Sequence, residues 1–203
     1  MEHENEKQDL GRVNVDKNGV PRPAAKLYFL TGFMGSGKTT AGRTAAKKVD
    51  AAFMDLDRET EVSAGMSVAE MFEKYGEGYF RRLESATLKL ALAASALISQ
   101  RSMIVALGGG TIIDPANAAL INKFGKTIFI DCNFESCYAR IEGDVSRPLV
   151  KTREELENLF KVRQNVYFEN SAQVVDGECD VNILAERIAK IIHADLQREN
   201  TDA

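Results

Sequence analysis

The sequence is poor in several residue types, and these scarcities exclude some classes of site. Tryptophan is absent, aromatic residues make up 7%, and there are only three cysteines and two histidines among 203 residues. His3 and His193 lie at opposite ends of the chain, which excludes a histidine-rich metal site. Cys132, Cys137 and Cys179 are an odd number of thiols, which favours free cysteines in a reducing compartment over a disulfide framework. Neither of the first two lies beside a basic activator along the chain, so we expect both to be structural.

Charge and hydropathy show no bias toward nucleic acid or membrane. Lysine and arginine number 26 against 30 acidic residues, which gives a net charge of −4. No apolar run reaches the roughly 18 to 20 residues that a membrane span needs. The first ten residues are acidic and polar, which argues against a secretory or transit peptide. We therefore expect a cytoplasmic protein with no nucleic-acid or membrane partner. We also expect a monomer, although the composition does not determine the oligomeric state.

The length and the 44% content of hydrophobic residues favour one compact domain with tails. Residues 1–24 are predicted to be a disordered tail, 25–198 the folded domain and 199–203 a C-terminal tail. Apolar strands alternate with helices in the domain, which predicts a parallel α/β sheet covered on both faces. The predicted strands are 27–30, 52–57, 103–107, 127–130 and 174–175. The predicted helices are 39–49, 58–75 with a break near Gly65, 78–99, 115–124, 134–141, 153–168 and 180–197.

The strongest motif is GFMGSGKT at residues 32–39, which matches G-x-x-x-x-G-K-[ST] at every fixed position. It lies between a predicted buried strand and a helix, as a phosphate loop must. Its glycines let backbone N–H groups converge on phosphate oxygens, and the helix N-terminus adds partial positive charge. Lys38 can reach the β- and γ-phosphates, and the Thr39 hydroxyl can bind Mg²⁺. The motif alone leaves open a kinase, a GTPase, a motor or a transport ATPase.

Further motifs follow in chain order. Asp55 and Asp57 are two residues apart at the end of a predicted strand, so we expect both side chains on one face. The others are GEGYFRRLE at 76–84, LGGG at 107–110, RPL at 147–149 and Arg163-x-x-x-Tyr167. Taken singly, each has an ordinary explanation, such as a helix cap for a strand-end aspartate or a solvated face for a helical arginine.

Together with the extended loop GFMGSGKTT, this ordered set resembles the shikimate kinase family. The resemblance runs from about residue 27 to residue 192. It implies a P-loop NTPase fold of the nucleoside-monophosphate-kinase type, with a five-stranded parallel sheet, helices on both faces and a mobile lid at about 142–152. The implied reaction is ATP-dependent phosphorylation of the 3-hydroxyl of shikimate, which gives shikimate 3-phosphate and ADP in chorismate and aromatic amino acid biosynthesis. Mg²⁺ is the implied cofactor.

The resemblance also implies roles for residues on the nucleotide side. Thr39 would bind Mg²⁺ directly, and Asp55 would hold it through water. Arg140 would lie near the adenine, and Arg147 would reach the phosphates from the lid. The phosphate cradle would comprise Gly35, Ser36, Gly37, Lys38, Thr39 and Thr40.

On the acceptor side, Arg81 and Arg163 would bind the shikimate carboxylate, and Asp57 would bind its hydroxyls and serve as candidate base. The implied catalytic residues are Lys38, Asp57 and Arg147, and Gly109, Phe72 and Phe80 would also contact substrate. Glu84 follows Arg81 by three residues on one helix face, so we expect it to hold that arginine in its rotamer.

The chain departs from the family pattern in two places. Asn165 stands where the family usually has proline after the arginine matched by Arg163. The helix before Gly108 is longer than the family's by about two turns, and we expect the extra length to move only the end of the helix that is far from the site.

Two other functions stay open: a gluconate or nucleotide kinase, and a non-enzymatic sensor of shikimate or ATP. The two arginines and Asp57 favour a polyhydroxy acid as acceptor, and the intact Lys38 speaks against a sensor.

Overall fold

A five-stranded sheet organises the chain, and the phosphate-loop motif follows its central strand. The computed structural model describes residues 25–97, 102–142 and 152–201. Within them all neighbouring strands are parallel, in the order β2-β3-β1-β4-β5. The strands are β1 (Lys26–Thr31), β2 (Ala52–Asp55), β3 (Ser102–Ala106), β4 (Gly125–Asp131) and β5 (Gln173–Asp176). The helices are α1 (Lys38–Lys48), α2 (Leu56–Ala64), α3 (Val68–Tyr75), α4 (Glu77–Ala94), α5 (Pro115–Phe124), α6 (Phe134–Ile141), α7 (Arg153–Glu169) and α8 (Val181–Thr201). The predicted α/β fold is confirmed.

The central strands are apolar because helices cover both faces of the sheet. Phe29 of β1 pairs with Val105 of β3 on one side and with Thr127 of β4 on the other, and all three side chains are buried. Parallel pairing brings the carboxyl ends of the strands to one edge, where ligands bind in open α/β sheets. The loops after β1, β2 and β3 therefore converge at that edge.

Side-chain caps begin several of the helices. Ser67 and Glu70 form a capping box at α3, and Thr152 and Glu155 form another at α7. By contrast, α1 begins after Gly37 in the left-handed conformation, with no side-chain cap. The first amide groups of α1 are therefore left to a ligand rather than to a neighbouring side chain.

The end of β2 differs from the prediction. The strand stops at Asp55, whose carboxylate caps α2 by accepting a hydrogen bond from the backbone N–H of Arg58 at 3.2 Å. Asp57 therefore lies in the first turn of α2, and the expectation that it shares a strand face with Asp55 is wrong.

Two helix ends also differ. α4 ends at Ala94 rather than near residue 99. At this end the Ser95 hydroxyl donates to the Leu92 carbonyl oxygen at 2.6 Å. α8 continues to Thr201, into the segment 199–203 that was expected to be a tail. The predicted tail at 1–24, Arg147 and lid residues 143–151 lie outside the described residues. In the part of the chain that is described, no helix is both long and apolar enough to cross a membrane.

Candidate active site

Three glycines shape the loop between β1 and α1. Gly32, Gly35 and Gly37 have φ angles of 143°, 81° and 93°, which residues with a side chain rarely adopt. A Cβ atom at Gly35 would also lie 2.5 Å from the carbonyl oxygen of Cys137. The loop therefore needs glycine both for its conformation and for its close approach to α6.

The Lys38 ammonium lies against the loop carbonyls. Its Nζ donates to the carbonyl oxygens of Gly32 at 2.8 Å and Phe33 at 2.9 Å. Within the loop Ser36 is buried, and Thr40 is exposed on the first turn of α1. The ammonium and the N-terminus of α1 together place positive charge at this loop, as phosphate binding requires.

Arg140 supports the loop from α6. Its Nη1 donates to the Gly35 carbonyl oxygen at 3.0 Å and lies 3.9 Å from Cys132 Sγ. Proximity along the chain alone did not reveal this basic neighbour of Cys132. The turn before α6 and the first turns of that helix bring Arg140 back to the end of β4, although it is eight residues from Cys132 along the chain.

A hydroxyl and a carboxylate meet beside the phosphate loop. Thr39 Oγ1 donates to Asp55 Oδ2 at 2.5 Å, and both groups are accessible to solvent. Hard oxygen ligands of this kind suit Mg²⁺, so the residues present fit that ion. Asp55 caps α2 with its other oxygen, so the role of a helix cap does not prevent the same carboxylate from facing a metal ion.

Asp57 and Glu84 approach the backbone of the LGGG segment. A Cβ atom at Gly108 would overlap Asp57 Oδ1 and would lie 2.5 Å from Glu84 Oε1. Glycine at this position therefore lets two carboxylates from different helices, α2 and α4, lie beside the end of β3.

Arg81 is held by two carboxylates on its own helix. Its Nη1 donates to Glu84 Oε2 at 2.8 Å, and its Nη2 donates to Glu77 Oε1 at 3.0 Å. Glu84 is fully buried, and its second oxygen accepts a hydrogen bond from Thr111 Oγ1 at 2.6 Å. Both oxygens of the buried Glu84 carboxylate therefore accept a hydrogen bond, which offsets the cost of burying its charge. The predicted contact between Glu84 and Arg81 is confirmed, whereas no sequence pattern pointed to Thr111.

Arg163 is buried against the same glycine segment. Its Nη1 donates to the Gly109 carbonyl oxygen at 3.2 Å, and the Tyr167 hydroxyl donates to that oxygen at 2.5 Å. Burial raises the pKa of Tyr167 to about 12, so the phenol remains a donor. α7 is continuous through Asn165, so Arg163 lies on a regular helix. Tyr167 belongs to the predicted motif, but its contact with Gly109 was not anticipated.

One cavity of about 410 Å³ joins the acceptor groups to the Thr39–Asp55 pair. The Phe72 and Phe80 rings form an apolar wall, with centres 5.2 Å apart. The cavity is lined by Met34, Thr39, Arg43, Asp55, Asp57, Arg58, Glu61, Val68, Phe72, Phe80, Arg81, Glu84, Gly109, Gly110 and Arg163. Opposite charges and an apolar wall in one cavity suit a small acid that carries hydroxyl groups.

The family model for shikimate kinase matches residues 34–194. This chain belongs to the shikimate kinase family. A shikimate kinase of Sulfurihydrogenibium sp. is 34% identical over 168 residues, which cover 82% of this chain and 98% of that protein. A shikimate kinase of Aromatoleum aromaticum is 36% identical over 154 residues, covering 74% of this chain and 85% of the relative.

Solved shikimate kinases share the fold as well. The structure of the Acinetobacter baumannii enzyme in complex with shikimate has a TM-score of 0.76 and 29% identity, and the match covers 85% of this chain and 96% of that one. The Aquifex aeolicus enzyme has a TM-score of 0.70 and 31% identity, with coverage of 84% and 98%.

Two arginines that line the cavity were missed by sequence reasoning. Arg43 lies one turn after Thr39 on α1 and stacks on the Phe53 ring at 5.0 Å from its centre. Arg58 follows Asp57 and lies 3.6 Å from Glu61. The four-residue spacing from Thr39 was a usable signal for Arg43, because such residues share a helix face.

Proposed function

We propose that this chain transfers the γ-phosphoryl group of ATP to the 3-hydroxyl of shikimate, in chorismate and aromatic amino acid biosynthesis. The observation that carries the proposal is the single cavity in which the Thr39–Asp55 pair faces Asp57, Arg81 and Arg163. A phosphoryl kinase must hold donor and acceptor together in line, and this cavity adjoins the phosphate loop.

The acceptor half is proposed to bind the substrate through charge and shape. Arg81 and Arg163 bind the carboxylate, because the planar guanidinium pairs with two oxygens at once. Gly109 contributes its backbone N–H, while Phe72 and Phe80 pack against the ring. These groups orient the acceptor so that its hydroxyl lies toward the phosphate loop.

The nucleotide half is proposed to use the loop, Lys38 and Arg140. The amides of residues 35–40 and the Lys38 ammonium bind the phosphates, and Arg140 lies near the adenine. Mg²⁺ would be held by Thr39 directly and by Asp55 through water, and when bound it neutralises charge on the phosphate oxygens. Arg147, outside the described residues, is proposed to approach the phosphates from the lid.

Asp57 is proposed to act on the acceptor hydroxyl. Its carboxylate accepts a hydrogen bond from the acceptor hydroxyl. This bond orients the hydroxyl so that an oxygen lone pair faces the phosphorus. Lys38 and the loop amides stabilise the negative charge of the transferring group without reorganising. Preorganised charge of this kind is the principal contribution a protein makes to phosphoryl transfer.

We also propose a cytoplasmic monomer without nucleic-acid or membrane partners, in keeping with the net charge of −4. Light scattering behind a sizing column tests the oligomeric state, and a 22.4 kDa species is the expected result.

The experiment is a coupled assay of ADP release with shikimate, gluconate or a nucleoside monophosphate as acceptor. Shikimate alone should stimulate ATP consumption, and Lys38→Met should lower that rate by roughly 10²- to 10³-fold with the fold retained. Stimulation by gluconate or by a nucleotide instead would reassign the acceptor. ATP binding without any stimulated turnover would favour a sensor.

A further inference from the structure

Thr111 is a fully buried residue next to the acceptor cavity but outside its wall. It begins a single 3-10 turn, Thr111–Ile113, that follows the LGGG segment and precedes α5. Among the described residues, Arg81 and Glu84 line the cavity, whereas Thr111 does not. A contribution of Thr111 to substrate binding must therefore pass through another side chain.

Backbone hydrogen bonds fix the position of Thr111. Its N–H donates to the Gly108 carbonyl oxygen at 3.2 Å. Its own carbonyl oxygen accepts a hydrogen bond from the side-chain amide of Asn117, a buried residue of α5, at 3.1 Å. Threonine also has few side-chain rotamers, because its Cβ atom is branched. The Thr111 hydroxyl therefore has a defined position beside the end of β3.

This hydroxyl fixes the carboxylate of Glu84. Thr111 Oγ1 donates to Glu84 Oε1 at 2.6 Å, and Arg81 Nη1 donates to Glu84 Oε2 at 2.8 Å. Because Glu84 is fully buried, water is a poor substitute for either donor. The carboxylate cannot rotate without breaking one of these two hydrogen bonds.

The orientation of Glu84 decides which N–H bonds Arg81 offers to a ligand. Nε and Nη2 of Arg81 donate to Glu77, and Nη1 donates to Glu84. A guanidinium has five N–H bonds, so two remain for a substrate carboxylate as far as the described residues show. Gly110 lies against the same group, since a Cβ atom there would be 2.5 Å from Arg81 Nη1. A two-point contact with a carboxylate requires a guanidinium plane that is held in this way.

We propose that Thr111 is a positioning residue for the acceptor: its hydroxyl orients Arg81 through Glu84 and thereby sets the affinity for the substrate carboxylate. The inference rests on the proposed function, in which Arg81 binds that carboxylate. The carboxylate takes no part in phosphoryl transfer, so its contact with Arg81 is the same before and during the reaction. Loss of such uniform binding raises KM and leaves kcat largely unchanged.

The test is steady-state kinetics of Thr111→Val, which keeps the shape of the side chain and removes its hydroxyl. KM for shikimate should rise roughly tenfold, as expected for loss of a hydrogen bond to a charged group, while kcat stays within about threefold. Affinity for an ATP analogue should not change. Thr111→Ser restores the hydroxyl and should return KM to within about twofold of the parent.

Thr87→Val is the matched control on α4. Thr87 is also buried, but its hydroxyl donates to the Leu83 carbonyl oxygen at 2.9 Å rather than to Glu84. The same loss of a buried hydroxyl should therefore leave KM for shikimate unchanged.

A double-mutant cycle separates positioning from a merely structural role. Lysine in place of Arg81 has no planar fork to orient, so in the Arg81→Lys background Thr111→Val should raise KM by less than about threefold. An equal rise in both backgrounds, or an unchanged KM in Thr111→Val alone, would overturn the inference. If Thr111→Val does not fold, Thr111→Ala takes its place in the cycle, and failure of both to fold would make Thr111 a structural residue. A parent without shikimate-stimulated turnover would instead count against the proposed function.

Discussion

Arg81 and Arg163 are prepared for a ligand in different ways. Arg81 is aligned by Glu77 and by the buried Glu84, so its guanidinium is fixed in place by acidic partners. Arg163 is only 7% exposed and donates to a backbone carbonyl oxygen, and no carboxylate of the described residues pairs with its charge. An anionic acceptor group would satisfy that charge, which explains why a buried arginine is tolerated here.

Replacement of either arginine by lysine tests this arrangement. Arg81→Lys and Arg163→Lys should each lower kcat/KM for shikimate by about 10- to 100-fold, because an ammonium cannot reproduce a two-point contact with a carboxylate. Affinity for an ATP analogue should barely change, since neither residue belongs to the phosphate loop. Steady-state kinetics beside direct analogue titration separates the two effects. Normal shikimate kinetics, or equal loss of nucleotide affinity, would contradict the acceptor assignment.

Gly108 provides a second test at the scale of one atom. In Gly108→Ala the new methyl group would overlap the Asp57 carboxylate and press on Glu84, so we expect kcat to fall by roughly 10²-fold. At Gly109 a Cβ atom would meet no atom of the described residues closer than 3.6 Å, so Gly109→Ala is the matched control for folding. Melting temperature and kcat are measured for both. Full activity in Gly108→Ala would show that Asp57 does not need its present position.

Helix α1 carries the phosphate loop, and its distance from the sheet depends on Gly42. A Cβ atom at Gly42 would lie 2.6 Å from Leu30 Cδ1 and 2.9 Å from Phe53 Cε2. In α4, by contrast, the end of Arg82, at 3.7 Å, is the only described side chain that a Cβ atom at Gly78 would meet. The same substitution should therefore have opposite effects in the two helices.

We predict that Gly42→Ala lowers the free energy of unfolding by about 1–3 kcal/mol through overpacking. Gly78→Ala should leave it unchanged or raise it by up to about 1 kcal/mol, because alanine favours the helix. Urea denaturation followed by circular dichroism measures both. Equal stability of the two variants would mean that α1 can move away from the sheet without cost.

The elements that sequence reasoning located best were those with a strong local signal. Pro115 and Asp114 mark the start of α5, and the glycines of the phosphate loop occupy the left-handed conformations expected of them. Asp57 was misplaced because the strand signal continued through Leu56, whereas the Asp55 cap ends β2 one residue earlier. Local patterns cannot show which of two competing structures wins when a cap and an apolar run overlap.

Contacts between distant segments could not be predicted in the same way. Thr111 and Glu84 are 27 residues apart, and Arg140 reaches Gly35 across 105 residues. Such pairs depend on the register of the strands and the packing of the helices, which a single sequence does not reveal. The family resemblance supplied the roles of the site residues but not these supporting contacts.

At the scale of the whole molecule, a charge network ties the sheet to the last helix at the end opposite the site. Asp195 of α8 lies 2.5 Å from Lys26 Nζ, accepts a hydrogen bond from the Tyr28 hydroxyl at 2.8 Å and also pairs with Lys126. Lys26 and Lys126 lie at the amino ends of β1 and β4. Asp195 therefore joins two neighbouring strands to α8 without approaching the cavity.

The protonation of Asp195 makes this connection dependent on pH. Burial alone would raise the pKa of Asp195, but hydrogen bonds from Lys126, Lys26 and Tyr28 outweigh it and lower the pKa to about 2. A carboxyl group with a lower pKa in the folded state stabilises the fold above its unfolded pKa of about 4. That contribution is lost as the pH falls from about 4 to about 2.

We predict that Asp195→Asn lowers the free energy of unfolding at pH 7 by about 1–2 kcal/mol, and that the deficit shrinks below about pH 4, where the unfolded parent takes up a proton on this carboxylate. Urea denaturation at pH 7, 5, 3 and 2.5 measures the difference. The control is Glu186→Gln on the same helix, whose pairing with Lys48 is exposed and should contribute less than about 1 kcal/mol. Shikimate turnover at pH 7 should be unchanged in both variants, since the network lies at the opposite ends of the strands. A deficit that persists undiminished at pH 2.5 would mean that the Asp195→Asn variant is destabilised through altered packing rather than through lost charge.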